Sequence, residues 1–177
     1  VIVLPTGSGK SFVAVMAIAV AARSSLVLVP TIDLMHQWYD ILQTYFENIE
    51  VGLIGGGHYQ VAPLTIITYD SAYRYLENLG NRFGLLIFDE CHHLPSGTYR
   101  LAAQFAIAPY RLGLSATPER MDGGHHVLSD LVGRYMFRKK ITELSGDYLA
   151  EYDIVQLRAS LAEEEREAYQ HYRGIYL

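Results

Sequence analysis

Near the start of the chain, Pro5-Thr6-Gly7-Ser8-Gly9-Lys10-Ser11 groups glycines, a lysine and hydroxyls as a phosphate-holding loop would. Gly7 and Gly9 let the backbone curl so that successive N–H groups point inward at an anion. A helix starting there adds unpaired N–H groups and the positive end of its dipole. Lys10 has the reach to meet β- and γ-phosphates as a point charge, and the Ser11 hydroxyl suits Mg²⁺. Thr6, Gly7, Ser8, Gly9, Lys10 and Ser11 are thus the candidate phosphate cradle. The strict pattern asks for glycine where Leu4 stands, but its Gly-Lys-Ser end is intact.

A second group, Asp89-Glu90, follows the apolar run Leu85-Leu86-Ile87-Phe88 at once. Successive side chains at a strand end point to opposite sides, so one carboxylate can face a metal and the other a water. Asp89 is assigned to Mg²⁺ through its waters, and Glu90 to orienting and deprotonating the attacking water. A phosphate cradle, a metal holder and a water positioner are the parts that phosphoryl transfer needs. Alone, Asp-Glu would read as a solvated acidic turn. Cys91, His92 and His93 are contiguous and do not converge as zinc ligands must. His125-His126 adds only a glycine-loop pair. His92 is read instead as a hydrogen-bonding link between the nucleotide and a neighbouring strand, and Cys91 as a core residue. Ser115, Thr117 and Thr68 are small hydroxyls at strand ends, either local caps or contacts along a shared edge.

The elements that must position these groups alternate. Val1-Ile2-Val3-Leu4 reads as a strand, and residues 12–22 as a helix apolar almost all round, expected to be buried on most sides. Leu26-Val27-Leu28-Val29 is a continuous apolar run typical of a parallel strand covered on both faces. Thr31 caps the next helix, with Asp33 in its first turn and Leu34, Trp38, Ile41, Leu42 and Tyr45 at helical spacing. Strands follow at 51–54 and 64–68, and a helix from Asp70 or Ser71 to Leu79. The strand at 85–88 precedes a helix over 96–108 with Leu101, Ala102, Phe105 and Ala106 inward. A last strand of the series covers 110–114. Such alternation implies right-handed crossovers and a mostly parallel sheet. Thr6 to Ser11, Thr31, Thr68-Tyr69, Asp89-Glu90 and Ser115 to Thr117 all come directly after strands, where open α/β sheets bind ligands. Beyond Pro118 a short helix is expected over 127–132, and strand-like pieces at 135–137 and 150–157. A final helix carries Leu161, Ala168, Tyr172 and Tyr176 on one stripe and Glu163, Glu164 and Glu165 in its first turn.

The 177 residues suit one domain or slightly more, and half of them are hydrophobic, which argues against disorder. The longest apolar run falls short of the about 20 residues a bilayer needs, so no membrane role is expected. No secretory signal opens the chain. The one cysteine excludes an internal disulfide and fits a reducing compartment. A net charge of −5 argues against nucleic acid as a bulk partner, though not against a local site of helix N-termini and hydroxyls. The chain opens inside a strand, which reads as the edge of a longer protein.

These residues resemble the superfamily-two helicases and translocases, and within them the XPB-type (xeroderma pigmentosum B) DNA repair helicases. The likeness runs from Val1 to about Leu177. Motif I is 5–11, motif Ia is Val29-Pro30-Thr31 with Leu34, Gln37 and Trp38, and Thr68-Tyr69-Asp70-Ser71-Ala72 is the next strand-end motif. Asp89-Glu90-Cys91-His92 is the Asp-Glu-x-His box and Ser115-Ala116-Thr117 is motif III. The XPB likeness lies in Asn81-Arg82-Phe83, His92-His93-Leu94-Pro95 and the stretch from Ala108 to Leu114.

The resemblance implies an α/β fold, a P-loop NTPase with a RecA-like, doubly wound, mostly parallel sheet and helices on both faces. It implies an ATP-binding domain over 1–157 and a connector helix over 158–177 toward a second helicase domain. ATP and Mg²⁺ would be held by Lys10, Ser11 and Asp89, with hydrolysis carried by Glu90, Asp89 and Lys10. His92, Ser115 and Thr117 would couple the nucleotide to nucleic acid. Thr31, Thr68 and Tyr69 would lie near the phosphate backbone of DNA, single-stranded or forked duplex. The implied activity is an ATP-dependent DNA helicase in repair or transcription, intracellular, in the cytoplasm of a prokaryote or the nucleus of a eukaryote. The alternatives are a restriction-type or remodelling duplex translocase that does not separate strands, and a non-hydrolysing nucleotide sensor. Arg120-Met121-Asp122 stands where XPB-type proteins carry Arg-Glu-Asp. The arginine fingers and the adenine-reading residues of the family have no counterpart here, so these residues alone are expected to bind MgATP weakly and hydrolyse it poorly.

Overall fold

The computed structural model describes residues 1–117, 126–144, 146, 155–157 and 160–176. Strands β1 (Ile2–Val3), β2 (Ser25–Val29), β3 (Val51–Gly55), β4 (His58–Tyr59), β5 (Leu64–Thr68), β6 (Leu85–Phe88), β7 (Tyr110–Ser115) and β8 (Phe137–Arg138) form one sheet. Its order is β4-β3-β5-β2-β6-β7-β1-β8. Every pairing is parallel except that of β3 with β4. The helices are α1 (Lys10–Ala21), α2 (Ile32–Tyr45), α3 (Tyr69–Leu79), α4 (Arg100–Phe105), α5 (Val127–Leu131) and α6 (Glu163–Tyr176).

Strand β2 shows why both faces are covered. Leu26 and Leu28 join one apolar cluster, with Tyr69, Ala72 and Leu76 of α3. Val27 and Val29 join the other, with Ala14 and Ile18 of α1 and Met35, Trp38 and Leu42 of α2. Alternate residues of one strand thus feed two cores, which explains its unbroken apolar run. The helices lie on both faces, as a doubly wound sheet requires. The strands expected at 64–68 and 85–88 are β5 and β6 residue for residue.

Several expectations are corrected. Helix α1 buries only Ala14, Val15 and Ile18, while Phe12, Met16 and Val20 lie outward, Val20 81% exposed. Only the face against the sheet is covered; the outward Phe12 meets the ring of Tyr45 edge-on at 6.1 Å. In α2 the buried residues are Met35, Trp38 and Leu42, and Tyr45 is exposed. The helix expected over 96–108 shrinks to α4, with Phe105 partly outside. The chain leaves it at Ala106 because Ile107 N–H donates to Gly80 O and the Arg111 guanidinium takes Ala106 O. Strand β4, unforeseen, closes a hairpin on β3 through Gly55, Gly56 and Gly57, all at positive φ. The short helix expected over 127–132 is α5. Of the strand-like pieces, β8 is the first; 155–157 are irregular and 147–154 lie outside the described residues, as do Pro118, the Arg120-Met121-Asp122 stretch and His125. The final helix is α6, whose Tyr169, Tyr172 and Ile175 are exposed.

Candidate nucleotide site

Strands β6, β7 and β1 are neighbours in the sheet. Their carboxyl ends therefore bring three distant stretches side by side: Asp89-Glu90, Ser115 to Thr117, and the glycine loop. Leu4 N–H donates to Ser115 O at 3.0 Å, joining two of these ends directly.

The loop is built by its glycines. Gly7 (φ 80°) and Gly9 (φ 86°) are left-handed, a conformation that costs other residues steric strain. Ser8 closes the turn, its N–H and hydroxyl both donating to Pro5 O, at 3.3 and 2.5 Å. Helix α1 makes its first bond from Val13 N–H to Gly9 O. Among the described residues, the N–H groups of Gly7, Gly9, Lys10 and Ser11 make no hydrogen bond. Unpaired donors gathered at a helix N-terminus form an anion cradle. The Lys10 ammonium reaches back over the loop to Leu4 O and Pro5 O, 3.2 Å from each. It has the charge and donors to exchange these carbonyls for phosphate oxygens.

Asp89 is 6% exposed. Its Oδ2 accepts from Trp38 Nε1 at 2.8 Å and its Oδ1 from Glu90 N–H at 3.0 Å. These bonds leave carboxylate lone pairs free to accept from water or a cation. Glu90 is not a continuation of the strand. Strand β6 stops at Phe88 and Glu90 is left-handed, φ 45°. The alternation expected to send the two carboxylates apart is therefore replaced by a strained turn. Burial, and next the nearby Asp89 charge, raise the Glu90 carboxyl above its ordinary range, against the opposing pull of Lys10, the Ala116 backbone and His93. Glu90 is thus in electrostatic reach of all three stretches. His92 Nδ1 lies 3.4 Å from Glu90 Oε2 and 3.0 Å from Ser115 Oγ, and Ser115 Oγ accepts from Thr117 N–H at 3.1 Å. Glu90, His92, Ser115 and Thr117 form one connected series.

Cys91 is wholly buried and its thiol is pushed up to about 12, mainly by burial. Among the described residues no three His, Cys, Asp or Glu side chains gather as a metal-binding cluster. Mg²⁺ does not require one: it takes few protein oxygens and completes its shell with water and phosphate. The hydroxyl of Ser11 and the carboxylate of Asp89 are hard oxygen donors on the shared edge, and they fit that ion.

Thr31 caps α2, accepting from Leu34 N–H at 3.2 Å, and Thr68 caps α3, accepting from Ser71 N–H at 3.3 Å. Thr31 is exposed; Thr68 is 6% exposed. Tyr69 departs from expectation. Its side chain is wholly buried, stacked on Tyr99 at 5.3 Å, and its hydroxyl donates to Asp89 O at 2.9 Å. The ring cannot meet a nucleic-acid strand, so only the helix terminus at this position is available to one. Sequence reasoning missed Trp38 and Tyr69 as partners of Asp89, and Arg138, Lys139, Ile141 and Thr142, which with Thr6 and Thr117 line a cleft of about 530 Å³ beside the loop. The sole signal for the former was that Trp38 is the single tryptophan of the chain.

Residues 1–120 match the family described as type III restriction enzyme, res subunit. The chain is 50% identical over 169 residues to the DNA 3'-5' translocase XPB2 of Sulfurisphaera tokodaii, covering 96% of this chain and 38% of that protein. It is 37% identical over 181 residues to the DNA 3'-5' helicase XPB of Kineococcus radiotolerans, covering 96% of this chain and 32% of that one. In fold it is similar to the Pyrococcus furiosus Hef helicase domain, with a TM-score of 0.63 at 23% identity over 77% of this chain and 34% of that one. The chain thus spans about a third of the curated relatives it matches. With the glycine loop, the Asp-Glu-x-His box and the Ser-Ala-Thr strand end meeting on one sheet edge, the chain belongs to the type III restriction enzyme res subunit family of superfamily-two helicase domains, and the two relatives above carry the XPB name.

Proposed function

We propose that this chain is the ATP-binding and ATP-hydrolysing domain of a DNA helicase of the XPB type, working against a second RecA-like domain of the same parent protein. The observation that carries the reading is the adjacency of β6, β7 and β1, which sets Glu90, Ser115 and the Lys10 loop on one edge.

In this reading the N–H groups of Gly7, Gly9, Lys10 and Ser11 and the Lys10 ammonium bind the β- and γ-phosphates of ATP. Ser11 and Asp89 would hold Mg²⁺, which would supply positive charge to offset that of the phosphates. Glu90 orients the attacking water and accepts its proton; its raised basicity suits that task. His92 bridges Glu90 to Ser115, so a change at the γ-phosphate position is felt at Thr117 on the neighbouring strand end. The N-termini of α2 and α3, capped by Thr31 and Thr68, lie along the same edge and face the phosphate backbone of DNA, contacts that position a strand without reading its sequence. Arginine fingers supplied by the second domain would stabilise the transition-state charge, a contribution worth about 10³–10⁵ in rate. These 177 residues alone therefore hydrolyse ATP slowly. The compartment is that of the DNA, cytoplasmic in a prokaryote and nuclear in a eukaryote. Among the described residues no helix is long and apolar enough to cross a membrane.

Strand displacement and ATP hydrolysis by the two-domain protein on tailed duplex DNA test the reading, with Glu90→Gln as control. ATP-dependent unwinding lost in the variant supports it. DNA-stimulated hydrolysis without unwinding favours the translocase reading, which the 50%-identical relative's name also favours. Glu90→Gln leaving every activity unchanged would support a nucleotide sensor instead.

A further inference from the structure

Asp89 has a partner on every polar group it owns. Its N–H donates to Leu28 O at 2.9 Å and its Oδ1 accepts from Glu90 N–H at 3.0 Å. Its Oδ2 accepts from Trp38 Nε1 at 2.8 Å and its carbonyl from the Tyr69 hydroxyl at 2.9 Å. The first two partners belong to the sheet edge itself. The last two come from elsewhere: Trp38 from α2, two turns inside the Thr31 cap, and Tyr69 from the first residue of α3, beside the Thr68 cap. Both aromatic donors are buried, Trp38 to 1% exposure and Tyr69 to 0%. In such a low-dielectric setting a hydrogen bond is strong and a lost partner is costly, so these two helices cannot shift without moving Asp89 or breaking a bond.

The acceptor of the Tyr69 hydroxyl matters further. It is the carbonyl of the peptide that joins Asp89 to Glu90. Glu90 holds a left-handed backbone (φ 45°), a conformation that persists only when its surroundings fix it. The Tyr69 bond holds one end of the peptide that leads into that turn.

We infer that Trp38 and Tyr69 are positioning residues that tie the Asp89-Glu90 pair to α2 and α3, so that a DNA strand seated on those helices and a nucleotide on the glycine loop alter each other's binding through Asp89. This rests on the proposed function for the two ligand positions. The route is short and physical: one buried hydrogen bond from each helix converges on one residue. Linkage makes the effect reciprocal, so it is readable as a ratio of affinities.

The test is the affinity of a fluorescein-labelled single-stranded oligonucleotide for the 177-residue chain, with and without saturating Mg²⁺ and slowly hydrolysed ATPγS. The wild-type ratio is expected to differ from one by about fivefold or more. Tyr69→Phe keeps the ring and its stack on Tyr99, and Trp38→Phe keeps an aromatic core residue. Each is expected to bring the ratio to within about twofold of one, with the affinity for each ligand alone within about threefold of wild type. A merely structural role would lower stability or both affinities and leave the ratio standing; an unchanged ratio in folded variants overturns the inference. So does a wild-type chain that binds both ligands with a ratio of one. A wild-type chain that binds neither overturns the proposed function, and the inference with it. Trp38 emission gives a check without mutation: as the single tryptophan, it must respond to Mg·ATPγS and to oligonucleotide, and indifference to both overturns the inference.

Discussion

Replacing Gly9 by alanine separates what the glycine loop does for the fold from what it does for a ligand. Gly9 has φ 86°, and a Cβ built on it meets nothing within 4 Å. The fold therefore loses backbone comfort alone. A left-handed alanine costs about 1–2 kcal/mol, offset by about 0.4–1 kcal/mol from the reduced freedom of the unfolded chain. The net, about 1 kcal/mol, lowers Tm by about 2–4 °C in a chain of this size. The ligand loses more. Left-handed Gly9 is what turns the unpaired N–H groups of Lys10 and Ser11 to one side, and the new methyl would stand in open space beside them. One lost charge-assisted N–H···phosphate bond, about 1.5–3 kcal/mol, is about 10- to 150-fold in affinity. Gly80→Ala is the contrast: its Cβ would lie 2.1 Å from Phe105 O and 2.8 Å from Leu76 O. Backbone on both sides leaves no room to relax, so that variant should lose about 3 kcal/mol or more. Thermal melts by circular dichroism and titration with a fluorescent ATP analogue in Mg²⁺ read both effects. A folded Gly9→Ala chain that binds the analogue within about threefold of wild type would refute the cradle.

Further outcomes follow from single groups. Because burial, and next the Asp89 charge, raise the Glu90 carboxyl above its ordinary value of 4.5, the folded chain holds that proton more tightly than the unfolded one. Its contribution to stability is present below the unfolded pKa and lost as pH rises through the folded one, so Glu90→Gln should raise denaturant stability at pH 7 and flatten that stretch of the pH profile. Hydrolysis by the parent protein should fall as pH drops through the same raised pKa; an acid limb at or below pH 4.5 would contradict the assignment. The Cys91 thiol, buried and pushed up to about 12, should resist dithionitrobenzoate at pH 8 until denaturant is added, and fast labelling of the native chain would contradict its burial. Arg111 donates to Leu131 O at 2.7 Å and Ala106 O at 2.5 Å, clamping α5 and the end of α4. Arg111→Met should cost about 2 kcal/mol in urea unfolding, with a loss under about 0.5 kcal/mol counting against the clamp.

Much of the fold was legible because the parallel strands carry unbroken apolar runs bounded by polar strand ends. The same rule grouped the candidate site residues, since they stand at the carboxyl ends of neighbouring strands, where such sheets bind ligands. What failed to read out was direction. An all-apolar helix such as α1 does not announce that Phe12, Met16 and Val20 face outward, because periodicity needs polar residues to break the symmetry. Tyr69 stands at a strand end, yet its ring turns inward onto Tyr99 and Asp89, a tertiary choice. The bond from Trp38 to Asp89 spans 51 positions and has no local signature. Glu90 adopts φ 45° without the glycine that usually marks such a turn.

The most direct measurement is a calorimetric titration of ATP into this chain, with Mg²⁺ and with chelator, in wild type and Lys10→Ala. Mg²⁺-dependent binding is expected, falling by at least about tenfold in Lys10→Ala, a loss of about 1.4 kcal/mol. Binding that Lys10→Ala leaves unchanged, or no binding at millimolar ATP, would contradict that expectation.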